Sequence, residues 1–163
     1  MIEIDDKTYN IEVTAKIFDL INDVIKFSLN YINFKYDYEL CVTLTDNNGI
    51  QTLNKKHRNI DRETDVLSFP MLEFDDGPYN DKYDFSKETN PETGKVMLGD
   101  IVLSLEQARI QAIEYGHSYD REISYLLVHS ILHLMGYDHI EEEDRVIMRS
   151  KEEDILKVLK LTR

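Results

Sequence analysis

The chain has 163 residues, of which 42% are hydrophobic, and it carries a formal net charge of −13. This length and apolar content are typical of one domain with one core, so we expect residues 1–163 to form a single domain. The acidic charge excludes sequence-blind binding of nucleic acid through a broad basic surface, although a local basic cleft stays compatible with it. No apolar run approaches the ~20 residues of a membrane span, and no signal peptide is recognised, so we expect a cytoplasmic protein without membrane association.

The first part of the chain predicts two strands and two helices. Weak alternation within residues 1–13 indicates a short strand, and the apolar stripe over residues 15–32 predicts an amphipathic helix. The β-branched run at residues 39–45 predicts a second strand. The polar tetrapeptide DNNG at residues 46–49 predicts a turn, after which residues 50–58 predict a short helix.

The middle of the chain predicts two further strands separated by a long loop. Residues 65–69 read as a strand that ends before a proline, and residues 96–103 read as a buried strand. Residues 71–95 between them are polar and acidic and contain two prolines and two glycines. This composition predicts a long mobile loop that serves as a lid or as a flank of the functional site.

Three helices are predicted in the last part of the chain. Ser104 is a suitable N-cap for a helix that runs to about residue 115. A second helix starts near Ser118 or Asp120 and runs to about residue 135, and it is apolar almost all round, which predicts a buried central helix. Residues 141–161 predict a final amphipathic helix.

Three histidines lie close together around the end of the central helix. His129 and His133 are four residues apart, so both imidazoles point from the same face of the helix. Gly136 can end the helix in a left-handed conformation, and that turn would bring His139 back to the pair. Three protein ligands with one open corner are typical of a catalytic zinc site, so we predict one bound Zn²⁺. Nickel, copper and iron also accept imidazole ligands.

The same spacing occurs in zinc peptidases of the metzincin type, which carry H-E-x-x-H-x-x-G-x-x-H. In those enzymes the glutamate is the general base that takes a proton from the metal-bound water. Ser130 stands at that position here, and serine has no useful basicity near neutral pH. The sequence therefore predicts a metal site without the peptidase machinery.

Residues 55–58, followed by Arg62, form a basic segment in an otherwise acidic chain. A phosphate-bearing substrate is expected to bind at such a segment, and the guanidinium of Arg58 can grip phosphate with its fork of donors. The alternative is that Arg58 is an ordinary solvated cation on the surface.

Asp138 lies between the glycine turn and the third histidine. Its carboxylate could orient one of the metal-binding imidazoles. Alternatively, it could cap the final helix, since carboxylates are favoured at helix N-termini. The sequence leaves both interpretations open.

Four motifs resemble the signature of one known family. They are LNKKHR at residues 53–58, TDVLSFP at 64–70, LGDIVLS at 98–104 and HSILHLMGYDH at 129–139. Together they resemble the YbeY family, bacterial endoribonucleases of ribosomal RNA maturation. The resemblance extends over most of the domain. That family commonly has glycine where this chain has Ser130, and an aromatic residue where this chain has His57.

The resemblance implies an α+β fold, with a small mixed sheet of about four strands, surrounding helices and a central helix that carries two metal ligands. It implies a metal ion bound by His129, His133 and His139, and Arg58 as a catalytic residue. The expected substrate is single-stranded RNA at the immature 3′ end of 16S rRNA, with a role in ribosome quality control and with the ribosomal subunit or its proteins as partners. The alternatives are a metal-stabilised ribosome assembly factor without catalytic activity and, less favoured, a peptidase-like hydrolase.

Overall fold

A computed structural model describes residues 1–9, 11–74 and 77–161. Four strands and five helices follow one another in these residues. They are β1 (Ile2–Asp6), α1 (Ala15–Tyr31), β2 (Tyr38–Thr45), α2 (Asn47–Arg58), β3 (Val66–Pro70), β4 (Val96–Ser104), α3 (Leu105–Tyr115), α4 (Tyr119–Leu134) and α5 (Glu142–Val158). The predicted α+β class and the four strands are confirmed, with most boundaries shifted by only a few residues.

The four strands form one mixed sheet in the order β1-β2-β4-β3. β1 and β2 are parallel, β2 and β4 are parallel, and β3 runs antiparallel to β4. Gly99 lies opposite Pro70 at φ +131°, and a Cβ atom there would lie 2.2 Å from the carbonyl oxygen of Phe69. Only glycine therefore allows β3 to approach β4 this closely.

Helix α4 lies in the centre of the molecule, as its apolar sequence predicts. Its N-cap is Ser118, whose hydroxyl accepts a hydrogen bond from the backbone N–H of Arg121 at 3.2 Å. The helix contacts α1, α3, α5 and the sheet. Its fully buried apolar side chains are Ile123, Leu127, Val128, Ile131, Leu132 and Leu134. Each such side chain contributes roughly 1.5–3 kcal/mol of burial free energy, so packing holds the helix in place.

The predicted turn at residues 46–49 is wrong, because helix α2 already begins at Asn47. Asp46 is the N-cap, and its carboxylate accepts a hydrogen bond from the backbone N–H of Gly49 at 2.8 Å. Asp and Asn favour turns and helix N-caps for the same reason, since their short side chains bond nearby backbone N–H groups. The side chain of Asn47 is then buried against Ser104, whose hydroxyl donates to it at 2.7 Å.

The described residues of the 71–95 segment contain no helix or strand, apart from one isolated bridge between Thr89 and Val96. The predicted long loop is thus confirmed for this part of the chain, whereas its mobility and its role as a lid or as a flank of the site stay predictions. Two of its aromatic rings are nevertheless buried, with Tyr79 and Phe85 lying 5.3 and 5.6 Å from the ring of Phe34. These contacts attach the segment to the core, which its acidic composition did not indicate.

None of the described helices has the length and apolar character needed to cross a membrane.

Candidate metal centre

The three predicted histidines come together at the C-terminal end of α4. The Nε2 atoms of His129 and His133 are 3.1 Å apart, as expected from their shared helix face. The ring of His139 lies 4.9 Å from the ring of His133 and 5.5 Å from that of His129. One nitrogen from each residue lies within 4.8 Å of the others, so the cluster has the ligands and the size to hold a metal ion.

A Schellman motif at the end of α4 turns the chain back toward the cluster. The backbone N–H of Gly136 bonds to the carbonyl of His133, and that of Tyr137 bonds to the carbonyl of Leu132, both at 3.0 Å. Gly136 has φ +81°, and a Cβ atom at this position would lie 2.7 Å from the ring of Phe74. The predicted glycine turn is confirmed, and it requires glycine for both conformation and space.

Hydrogen bonds orient the two imidazoles on α4. The Nδ1 atom of His129 lies 2.7 Å from Oε1 of Glu152, and the Nδ1 atom of His133 lies 2.9 Å from the carbonyl oxygen of Tyr137. Both partners are acceptors, so each Nδ1 carries the proton and donates it in the neutral ring. The two Nε2 lone pairs then face each other, an arrangement that repels unless a cation lies between them. This donor set therefore fits a metal ion.

The surroundings keep His133 neutral. Burial lowers the pKa of His133 to about 4, and the neighbouring charges of His129 and His139 act in the same direction. Neutral imidazole is the form that binds a metal, so His133 is in its binding form at physiological pH. His139 is exposed and marks the side of the cluster that is open to solvent.

Neither predicted role of Asp138 is found in the structure. Its carboxylate accepts a hydrogen bond from the backbone N–H of His139 at 2.6 Å, so it stabilises the turn locally. The N-cap of α5 is Glu141, which makes no side-chain capping bond. The carboxylate that orients an imidazole is Glu152, which lies on α5 and is 5% exposed. Sequence reasoning missed Glu152 because nothing in the local pattern distinguishes it from the other acidic residues of that helix.

A cavity of about 440 Å³ opens beside His129 and His139. Residues of α3, α4 and α5 form most of its walls. Its cationic lining residues are Arg121, Arg145 and Arg149. None of these three arginines was predicted, since in the sequence they stand near acidic residues and belong to no recognised motif.

Arg58 lies outside this cavity. It lies exposed at the C-terminal end of α2 and is not among the residues that line the cavity. In the described part of the chain it makes no hydrogen bond or ion pair, whereas its neighbour Lys55 pairs with Asp61 at 2.6 Å. The adjacent ring of His57 packs edge-on against Phe69 at 5.1 Å. The structure therefore does not bring the basic segment into the cavity.

A three-histidine cluster with one open side beside a cavity is the kind of site found in metal-dependent hydrolases. The sequence model of the family described as Endoribonuclease YbeY matches residues 2–160. The chain therefore belongs to the YbeY family, which confirms the resemblance of its four motifs and the expected endoribonuclease class. The peptidase alternative has no support from this comparison.

Relatives named Endoribonuclease YbeY cover all or most of the chain. The protein from Clostridium botulinum strain Hall is 47% identical over 167 residues, covering 100% of both chains. That from Clostridium beijerinckii is 46% identical over 168 residues, covering 100% of this chain and 99% of the relative. The protein from Agathobacter rectalis is 48% identical over 142 residues, covering 86% of each.

A solved structure supports the fold. The solution structure of TM1509 from Thermotoga maritima matches with a TM-score of 0.56 and 23% identity, covering 98% of this chain and 92% of that one. The similarity extends over the whole domain, so it confirms the architecture.

Proposed function

We propose that this protein is a single-strand-specific, metal-dependent endoribonuclease that matures the 3′ end of 16S rRNA and acts in ribosome quality control in the cytoplasm. The observation that carries the proposal is the cluster of His129, His133 and His139 beside an open cavity, in a chain of the YbeY family. The relatives over its full length are named endoribonucleases, which supports RNA as the substrate. The ribosomal subunit and its proteins are the proposed partners.

We propose zinc as the metal, because three neutral imidazoles suit it, although nickel, copper and iron accept the same ligands. The Nε2 atoms of His129 and His133 would bind it together with the ring of His139. Such an ion polarises a phosphoryl oxygen or lowers the pKa of bound water. The residues of the chain do the positioning. Glu152 and the carbonyl of Tyr137 hold the two α4 rings in one orientation.

Arg58 is the proposed catalytic residue, on the resemblance of residues 53–58 to the family motif. Its exposed guanidinium has no partner in the described part of the chain, so it is available to an incoming phosphate. A guanidinium binds phosphate with two parallel hydrogen bonds and stabilises negative charge that develops on it.

RNA can supply its own nucleophile. Attack by the 2′-hydroxyl of the substrate leaves a 2′,3′-cyclic phosphate, whereas attack by water leaves a simple phosphate end. Mass spectrometry of the cleaved fragments distinguishes the two routes.

Cleavage of single-stranded RNA by the purified protein tests the activity. We expect cleavage of an oligonucleotide from the 3′ end of 16S rRNA, little cleavage of the same sequence in a duplex, and loss of cleavage in both His133→Ala and Arg58→Ala. Lys26→Ala is the control and should cleave like the wild type, since it removes an exposed cation from α1, outside the basic segment and the cavity lining. Circular dichroism shows whether each variant is folded.

Two outcomes would overturn the proposed activity. Unchanged cleavage by a folded His133→Ala protein would identify a contaminating nuclease. Binding of RNA or of the small ribosomal subunit without any turnover would instead favour the assembly factor without catalytic activity.

The metal content of the protein tests the centre separately. Elemental analysis without added metal should find about one equivalent in the wild type and little in His133→Ala, since one ligand is lost. Equal metal content in both proteins, or none in either after reconstitution, would remove the metal from the proposal.

A further inference from the structure

The cavity extends along α4 away from the metal centre. Glu122, Tyr125 and His129 all line it, and their spacing places them on one side of the helix. Glu122 precedes His129 by two helical turns, which corresponds to about 10 Å along the helix axis. That length is on the order of one nucleotide, measured from its phosphate to the far edge of its base.

Gln111 presents a buried acceptor without a partner in the described residues. Its Nε2 donates to Oδ2 of Asp65 at 3.0 Å, and a carboxylate only accepts, so the orientation of the amide is defined. The opposite atom of the amide, Oε1, is buried and has no hydrogen bond there. Leaving a buried acceptor without a hydrogen bond is unfavourable. This oxygen is therefore suited to a donor on a ligand.

Arg121 provides a complementary donor in the same cavity. The residue is 3% exposed, and one of its terminal nitrogens lies 3.7 Å from the carboxylate of Glu153. Its Nε atom is buried and makes no hydrogen bond within the described part of the chain. Two residues that line one cavity, on neighbouring helices, therefore hold an unpaired buried acceptor and an unpaired buried donor.

The other lining groups suit a flat ligand with a negative charge at one end. Tyr115 and Tyr125 offer aromatic surfaces against which a base can stack. Burial raises the pKa of Tyr125 to about 12, so its hydroxyl stays neutral. Arg149 and Arg145, which also contacts Glu142, add positive charge from α5.

The acidic lining residues already have partners. Glu152 bonds to His129 at 2.7 Å. Glu122 lies 2.9 Å from Nε2 of His117, and the side chains of Glu122 and His117 are both at least nine-tenths buried. Asp65 accepts from Gln111, and Glu153 lies 3.7 Å from a terminal nitrogen of Arg121. These contacts reduce the repulsion that unpaired carboxylates would exert on a phosphate.

We infer that this cavity is a nucleotide pocket, which seats the nucleotide next to the cleaved phosphodiester with its base hydrogen-bonded to Gln111 and Arg121. The order of donors and acceptors along the base edge differs from one RNA base to another, so the unpaired acceptor of Gln111 and the unpaired donor of Arg121 suit some bases better than others. The phosphate of this nucleotide would lie at the histidine end. This inference rests on the proposed RNA cleavage and extends it, because it assigns base recognition to residues outside the metal centre.

Base preference of cleavage tests the pocket. The substrates are single-stranded RNAs that differ only in the nucleotide on one side of the cut, followed by a second set that differs on the other side. We expect metal-loaded wild type to prefer the best base over the worst by about tenfold on one side. Gln111→Met should reduce this preference to roughly twofold or less, since the acceptor is lost while the side-chain length is kept.

Gln51→Met is the matched control. Gln51 lies on α2, outside the cavity, and its Nε2 also donates to a carboxylate, that of Asp61, at 3.0 Å. The same substitution there removes the same kind of hydrogen bond and should leave the base preference of the wild type unchanged. Equal cleavage of all substrates by the wild type, or an unchanged preference in Gln111→Met, would overturn the pocket while leaving the proposed endoribonuclease intact.

A binding measurement separates the pocket from the proposed activity. The side-chain amide of Gln111 should show a saturable NMR shift when a nucleoside monophosphate is added to the metal-loaded protein, and none with inorganic phosphate. This shift would support the pocket even if no RNA were cleaved. An unchanged amide signal with all four nucleoside monophosphates would overturn it.

Discussion

Glu152 on α5 holds the imidazole of His129 on α4 through a contact of 2.7 Å between Oε1 and Nδ1. A buried carboxylate in this position fixes the tautomer and the orientation of the ring and makes Nε2 a better ligand. The two residues are 23 positions apart in the chain. The contact therefore makes the packing of α5 on α4 part of the candidate metal centre.

Glu152→Gln should weaken metal binding by about 10- to 100-fold, the usual effect of losing such a carboxylate. Glutamine keeps the size of the side chain but removes the charge that favours the donating Nδ1–H. Competition with a chelator measures the affinity. Glu153→Gln is the control, since this neighbouring side chain is largely exposed and does not contact the histidines. Equal affinities of Glu152→Gln and wild type would contradict the assigned role.

The metal-free protein should lose stability as the pH falls from about 6.5 to about 4. His133 takes up a proton near its ordinary pKa of 6.5 when unfolded, but only near pH 4 when folded. Between these values the unfolded chain binds more protons, so acid favours unfolding, whereas above about pH 6.5 this contribution is constant. Urea unfolding at several pH values measures the effect.

His133→Asn supplies the comparison for the pH experiment. Asparagine can still donate to the carbonyl of Tyr137 but does not titrate in this range. We expect its stability to fall less steeply over the same window. Identical pH dependences of the two metal-free proteins would show that His133 is not responsible.

Gly136→Ala should destabilise the protein and weaken metal binding. Alanine at φ +81° is strained by roughly 1–2 kcal/mol, and its Cβ would also meet the ring of Phe74. Gly116→Ala is a matched control at the end of α3, where φ is +69° and no atom lies within 4 Å of the added Cβ. Thermal unfolding and metal titration should show the larger effects for Gly136→Ala, because the turn also positions His139. Equal effects of the two substitutions would argue against the Phe74 contact.

Ser130→Ala should leave the stability unchanged or raise it by up to about 1 kcal/mol. The hydroxyl of Ser130 is fully buried and makes no hydrogen bond in the described residues, so alanine removes an unsatisfied group and favours the helix. Ser124→Ala, on the same helix, removes a bond of 2.7 Å to the carbonyl of Asp120 and should be the less stable variant. Denaturant unfolding measures the stability of both variants. A clear loss of stability in Ser130→Ala would show that the hydroxyl of Ser130 has a hydrogen-bond partner.

Local spacing carried most of the correct predictions about the site. The four-residue interval between His129 and His133 places both rings on one face of any helix, whatever surrounds it, and Gly136 can turn the chain for reasons of backbone sterics alone. The apolar sequence of α4 likewise predicts a buried helix. The turn predicted before α2 was wrong because Asp46 can begin either a turn or a helix, and only the surrounding packing selects between them.

The sequence by itself determined which three histidines cluster, the turn that joins them and the family to which the chain belongs. Only the tertiary structure decided that Glu152 orients His129, that Arg121 and Gln111 line one cavity, and that Arg58 lies outside it. The physical reason is the range of the interactions. Ligand spacing and glycine turns depend on the backbone of a few neighbouring residues, whereas these other relationships depend on how separate helices pack. That packing is set by the whole core and leaves no periodic pattern in the segments it brings together.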